Sequence, residues 1–159
     1  MPESVEDLHI GAGSLSIDGT DVGFTTTEGV VINFEPEVHL HMSGKYGNTP
    51  VKASLIGQTL SLDVTIAAHT LANIEKSYAG AVLDGGVIKF GGVAGREITG
   101  KELVLTPFDG TASWTFKNAV PTSSVAANYQ VDNERVITVT FTAMVDVSAD
   151  EDENLGTVS

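Results

Sequence analysis

The chain has no cysteine in 159 residues, so disulfide frameworks, thiolate metal centres and cysteine nucleophiles are all excluded. It is also poor in cations, with 8 Lys and Arg against 21 Asp and Glu and a net charge of −13. Nucleic-acid affinity is built from clustered Lys and Arg, so a phosphate-binding surface is not expected. Aromatics make up 6% and charged residues 18%, while hydrophobic residues reach 42%; this composition fits neither a disordered chain nor a coiled coil. No run approaches the ~20 apolar residues that span a bilayer as a helix, and no membrane partner is expected. Residues 1–7 are acidic and have neither a basic start nor an apolar stretch, so no secretory leader is expected. The length suits one domain covering residues 1–159, with acidic, flexible ends at 1–7 and 149–159.

What the sequence does have is a period of two. Glu35, Glu37, His39, His41 and Ser43 alternate with Pro36, Val38, Leu40 and Met42. Leu60, Leu62, Val64 and Ile66 alternate with Ser61, Asp63 and Thr65, and Ile137, Val139, Phe141, Ala143 and Val145 with Thr138, Thr140, Thr142 and Met144. Ala112, Trp114 and Phe116 repeat the pattern against Ser113, Thr115 and Lys117. Such alternation gives antiparallel strands with one dry and one wet face. Asp18-Gly19, Asp84-Gly85-Gly86, Asp109-Gly110 and Asp132-Asn133 supply the turns. One segment breaks the rhythm: Leu71, Ile74 and Tyr78 recur at helical spacing between a capping Thr70 and Gly80, predicting a helix of about three turns. The expected fold is mainly β, an antiparallel β-sandwich or barrel with one flanking α-helix. Residues 45–57 hold Gly, Asn and Pro beside Tyr, Val, Leu and Ile, and read as a long irregular loop.

Catalytic signatures do not stand up. Residues 95–101 fit the first seven positions of a phosphate-binding loop, but Glu102 occupies the magnesium-ligating position and a strand pattern follows where a helix is required. Gly11-Ala12-Gly13 lacks the last glycine and the helix of a dinucleotide fingerprint. Asp150, Asp152 and Asn154 match the start of an EF-hand loop, which Leu155 then breaks. His39, His41, Glu35 and Glu37 share a strand face and offer two imidazoles with carboxylates. The simpler reading of that face is a polar surface exposed to water or to a neighbouring subunit. His9 and His69 have no evident partners. Trp114 and Phe116 lie on an apolar strand face and read as core rather than as a sugar-stacking platform. No catalytic residue, metal site or cofactor is assigned, and no enzymatic activity is expected.

Two segments resemble the major tail tube proteins of long-tailed, siphovirus-type bacteriophages. Ile17-Asp18-Gly19-Thr20-Asp21-Val22-Gly23-Phe24-Thr25-Thr26-Thr27-Glu28-Gly29-Val30 is similar to that family's opening hairpin and the Gly-Val start of the next strand. Tyr46-Gly47-Asn48-Thr49-Pro50-Val51 resembles its Tyr-Gly-x-Thr-Pro loop, and Phe141-Thr142-Ala143-Met144-Val145-Asp146 its last strand. A strand at 60–67 and a helix at 71–79 lie between them in the expected order. The resemblance runs from about residue 8 to 147, with residues 87–131 matched by β character alone.

That resemblance implies a virion structural protein, made in the bacterial host cytoplasm, whose hexameric rings stack into the tail tube. The partners it implies are further copies of the chain and the tape measure, distal tail and tail terminator proteins, with DNA passing through unbound. Six chains of −13 would put 78 excess negative charges in a ring, and an acidic lumen repels phosphate. Glu35, Glu37, His39, His41 and Asp63 are the candidate lumen-facing residues. Lys45, Tyr46, Asn48, Pro50, Val51 and Leu55 are the candidate ring-to-ring contacts. Repulsion between acidic ends at 150–153 would restrain assembly, and added salt would then speed it. The competing expectation is a monomeric carbohydrate-binding or adhesin-type β-sandwich.

Overall fold

A computed structural model describes residues 13–23, 25–67, 70–107, 112–126, 129, 131 and 136–159, with 25–29 described by backbone alone. The termini at 1–12, His9, His69 and the turns at Asp109-Gly110 and Asp132-Asn133 lie outside the described residues.

The fold is mainly β and antiparallel. Its strands are β1 (Gly13–Ile17), β2 (Thr20–Asp21), β3 (Thr25–Ser43), β4 (Thr49–Ile66), β5 (Val82–Asp84), β6 (Val87–Lys89), β7 (Lys101–Pro107), β8 (Trp114–Pro121), β9 (Ile137–Ala143) and β10 (Thr157–Val158). Eight of them form one sheet in the order β2-β1-β7-β8-β9-β4-β3, with β10 added beside β8; β5 and β6 form a separate hairpin. The turns follow from residue chemistry. Asp18 and Gly19, with φ of 53° and 79°, close the β1–β2 hairpin, and Gly85 and Gly86, at 58° and 80°, close β5–β6. Two successive left-handed residues suit the right-handed twist of the flanking strands.

The sheet curls over a single core, and among the described residues no ladder joins its two ends, so it is not a closed barrel. Leu15 and Ile17 of β1 meet Leu62, Val64 and Ile66 of β4 in one cluster with Leu103, Phe116, Ile137, Val139 and Phe141. Cross-strand register sets this inner face: Leu62 lies opposite Phe141, Val64 opposite Val139 and Ile66 opposite Ile137. Trp114 packs against the same cluster, with its ring stacked 6.4 Å from that of Phe116. Phe116 is therefore core, and Trp114, on the same strand parity, is partly buried against it.

The helix α1 (Leu71–Ser77) is two turns long, shorter than the expected three. Thr70 caps it by accepting from the Asn73 amide at 3.2 Å. The residues it buries are Asn73 and Ser77, while Leu71 is exposed and Ile74 only half-buried. Asn73 donates from Nδ2 to the Val22 carbonyl at 2.8 Å, which ties the helix to the segment just after β2. Tyr78 has already left helical geometry and stands edge-on to Phe90.

The glycine-rich residues at 95–100 have no regular structure and run directly into β7 at Lys101, so no helix follows the phosphate-loop-like sequence. The acidic stretch near the C-terminus is tied on both sides. The Asp146 amide donates to the Asn154 carbonyl at 2.8 Å, Lys117 pairs with Glu153 at 2.9 Å, and β10 pairs with β8. No helix among the described residues is long and apolar enough to cross a membrane.

Candidate assembly interface

The sheet holds one element longer than the rest can cover. β3 and β4 run for 19 and 18 residues and pair almost throughout, whereas β9 accompanies β4 only from Ser61 to Ile66. Beyond that point residues 34–43 and 49–60 continue as a two-stranded arm. Its ten β3 residues, 34–43, extend for about 33 Å at ~3.3 Å per residue.

The arm corrects one expectation. Residues 45–57 are not a long irregular loop: only the 3₁₀ turn Gly44–Tyr46 and the Gly47-Asn48 pair lie outside the strands. Lys45, Tyr46 and Asn48 sit at the tip, while Pro50, Val51 and Leu55 belong to β4. The loop-like look of this sequence has a physical cause. Register shifts fall between Glu37 and Val38 and between His41 and Met42, leaving Ile56 and Val51 as extra residues on β4. Each bulge breaks the period of two on one strand while keeping both faces in phase across it.

The tip explains the Tyr-Gly-Asn-Thr-Pro sequence. Gly47 and Asn48 both take left-handed conformations, with φ of 66° and 65°, which Gly and Asn tolerate best. The Thr49 hydroxyl then donates to the Tyr46 carbonyl at 2.7 Å and fastens the turn. Lys45 stands 5.6 Å above the Tyr46 ring.

One face of the arm is polar, and it carries four of the five candidate lumen residues. Glu35 lies opposite Thr59, Glu37 opposite Gly57, His39 opposite Ser54 and His41 opposite Lys52. The His39 and His41 rings meet edge to face at 4.7 Å, and His41 Nε2 is 2.9 Å from the Ser54 hydroxyl. The fifth candidate, Asp63, continues the same face into the sheet body. It accepts from Asn33 Nδ2 at 2.9 Å and from the Thr140 hydroxyl at 2.6 Å, binding β3, β4 and β9 together. Among the described residues no three His, Asp or Glu side chains gather as a metal site.

The opposite face is apolar and uncovered. Phe34 pairs with Leu60, Val38 with Leu55, Leu40 with Ala53 and Met42 with Pro50, and the bulges bring Ile56 and Val51 beside them. Phe34, Val38, Leu40, Met42, Val51, Leu55 and Ile56 are 47–61% exposed. This face is the outward continuation of the one that carries Leu62 and Val64 into the core. Contiguous exposed apolar surface of this kind marks a contact site, and a lone two-stranded hairpin is only marginally stable in water.

Sequence parity alone located the polar face. The exposure of the apolar one was hidden, because nothing in the β3 sequence says that the rest of the sheet ends near Ser61, where β9 stops pairing with β4. Comparison with protein-family models and with curated proteins finds no match for this chain.

Proposed function

We propose that this protein is a non-enzymatic structural subunit that assembles with copies of itself into stacked rings, as the repeating unit of a phage tail tube. The carrying observation is the arm: about 33 Å of hairpin with a half-exposed apolar face. Fully burying a side chain of this size contributes ~1.5–3 kcal/mol, so covering one already half-buried contributes roughly half of that. Over Phe34, Val38, Leu40, Met42, Val51, Leu55 and Ile56 the sum is on the order of 5–10 kcal/mol, which offsets a substantial part of the cost of association.

In this reading the apolar arm face and the tip residues Lys45, Tyr46 and Asn48 meet neighbouring copies. The face bearing Glu35, Glu37, His39, His41 and Asp63 lines the lumen. Pro36, Pro50 and the two bulges blunt the strand edges, so that the arm docks by its face instead of extending a sheet without limit. DNA passes an acidic wall without binding, and the tape measure, distal tail and tail terminator proteins are the partners the sequence resemblance supplies. The place of action is then the virion tail, after synthesis in the host cytoplasm.

Negative-stain electron microscopy of the purified protein, across concentration and salt, tests this. Rings or hollow tubes are the expected result. Monodisperse particles under every condition count against the tube and favour a monomeric β-sandwich binding module, for which a glycan-binding screen is the next measurement.

A further inference from the structure

Away from the arm, a cavity of about 330 Å³ opens between the C-terminal end of α1, the segment 96–101 and the ends of β8 and β9. Its floor is apolar, formed by Ala81, Ala119 and Phe141, which are almost wholly buried. Its walls carry Lys76, Arg96 and Lys101, three of the eight cationic residues of the chain. Among the described residues Glu75 and Glu97 are the carboxylates of the lining, which then carries a net charge of +1 in a protein of −13. Lys101 is held by Glu75 at 3.5 Å. The Arg96 guanidinium donates to the Gly80 carbonyl at 2.6 Å, and its remaining N–H groups stay available to a ligand.

The chain also carries the complement of this cavity. After β9 a tight turn presents Val147, 93% exposed, beside Asp146, Asp150, Glu151 and Asp152. The turn is fixed by its own hydrogen bonds. Ser148 donates its amide and hydroxyl to Asp146 Oδ1 at 3.0 and 2.6 Å, and the Asp146 amide bonds to the Asn154 carbonyl. Leu155 then packs on the core. None of these turn residues lines the cavity of its own chain.

We propose that the cavity receives the acidic turn of a second copy, with Val147 on its apolar floor and the surrounding carboxylates facing Lys76, Arg96 and Lys101. Charge complementarity singles out this occupant: the site collects cations in a cation-poor chain, and the turn is an apolar tip ringed by acids. Because the turn is held by its own hydrogen bonds, it loses little conformational freedom on docking. The contact deepens the self-assembly reading by naming a second interface between copies, separate from the arm.

The absence of cysteine supplies a clean test. Full-length Val147→Cys is mixed under oxidising conditions with full-length Ala79→Cys, whose exposed position lines the cavity. The control partner is Thr20→Cys, exposed on β2 and outside the cavity. The expected result is a mixed disulfide with Ala79→Cys that forms several times faster than with Thr20→Cys. That advantage shrinks in high salt and when Lys76→Glu is added to the Ala79→Cys chain. Equal rates, or no mixed disulfide, overturn the contact. Tubes formed by the unmodified protein alongside equal rates retain the tube reading and discard this contact. A strong preference without tubes retains the contact and discards the tube.

Discussion

The sheet body and the arm are built from the same two strands, with the same alternation and the same two faces, yet they live in different surroundings. In the body, Leu62 and Val64 share a core cluster with residues of β1, β7, β8 and β9 and are almost completely buried. A few residues further out, Val38, Leu40 and Leu55 occupy the same face and are about half exposed. The polar faces differ likewise. Asp63 is bound by Asn33 and Thr140, whereas Glu35 and Glu37 lie in the open part of the ladder. Alternation fixes which side of a strand a residue takes, but the neighbours decide whether that side is covered. The body has its cover within the chain, and the arm is completed by other copies in our account.

Substitutions that separate these regions should differ in kind as well as in size. Phe116→Ala, in the closed core, is expected to destabilise the protein by ~3–5 kcal/mol, read by denaturant or thermal unfolding. A loss near that of a surface substitution would mean that the core is not where the structure places it. Asn73→Ala leaves the buried Val22 carbonyl without its side-chain donor, and a loss of ~1–3 kcal/mol is expected in the same assay. On the arm, Leu40→Asp with Leu55→Asp should shift the stability of the dilute protein by about 1 kcal/mol or less, since both sites are already wet. Assembly seen by electron microscopy should nevertheless be lost. An unfolded variant, or one that assembles normally, would erase the distinction between body and arm.

Reversal of Glu35 and Glu37 to Lys leaves the apolar face intact, so tubes should still form while DNA ejection slows. Unchanged ejection kinetics would remove these residues from the lumen. The smallest effect belongs to the C-terminal turn. The Ser148 hydroxyl and then its amide hold the Asp146 carboxyl below the ordinary carboxylate range. A carboxyl depressed on folding favours the folded state above its unfolded value, and that contribution fades as pH falls through the folded value. Ser148→Ala should therefore raise the Asp146 titration midpoint, measurable by NMR, with little change in stability at neutral pH.

Much of the body was legible in the sequence because regular strands announce themselves by parity. Ile137, Val139 and Phe141 predicted a buried face and form one. Asp18-Gly19 and Asp84-Gly85-Gly86 predicted turns, and both close hairpins. The helix was found by Thr70 but misjudged in its contacts. Its buried residues are polar, and the apolar spacing of Leu71, Ile74 and Tyr78 did not indicate that Asn73 would reach the Val22 carbonyl. Residues 45–57 looked like a loop because Val51 and Ile56 are bulge residues, and an inserted residue erases a period of two from the one-dimensional record. The candidate site was thus half visible: Glu35, Glu37, His39 and His41 were placed on one face, and the uncovered apolar face behind them was not foreseen. The acidic run at 150–153 was visible in the sequence, but the cavity gave no signal, since its residues come from segments far apart in the chain.

Amide hydrogen exchange across a concentration series is the most direct measurement of whether copies of this chain complete the arm. The account predicts that amides in residues 34–43 and 49–60 become protected as concentration rises, while those of β1, β7 and β9 start protected and change little. Exchange in the arm that stays the same from dilute to concentrated protein, or protection that rises equally in arm and body, would contradict it.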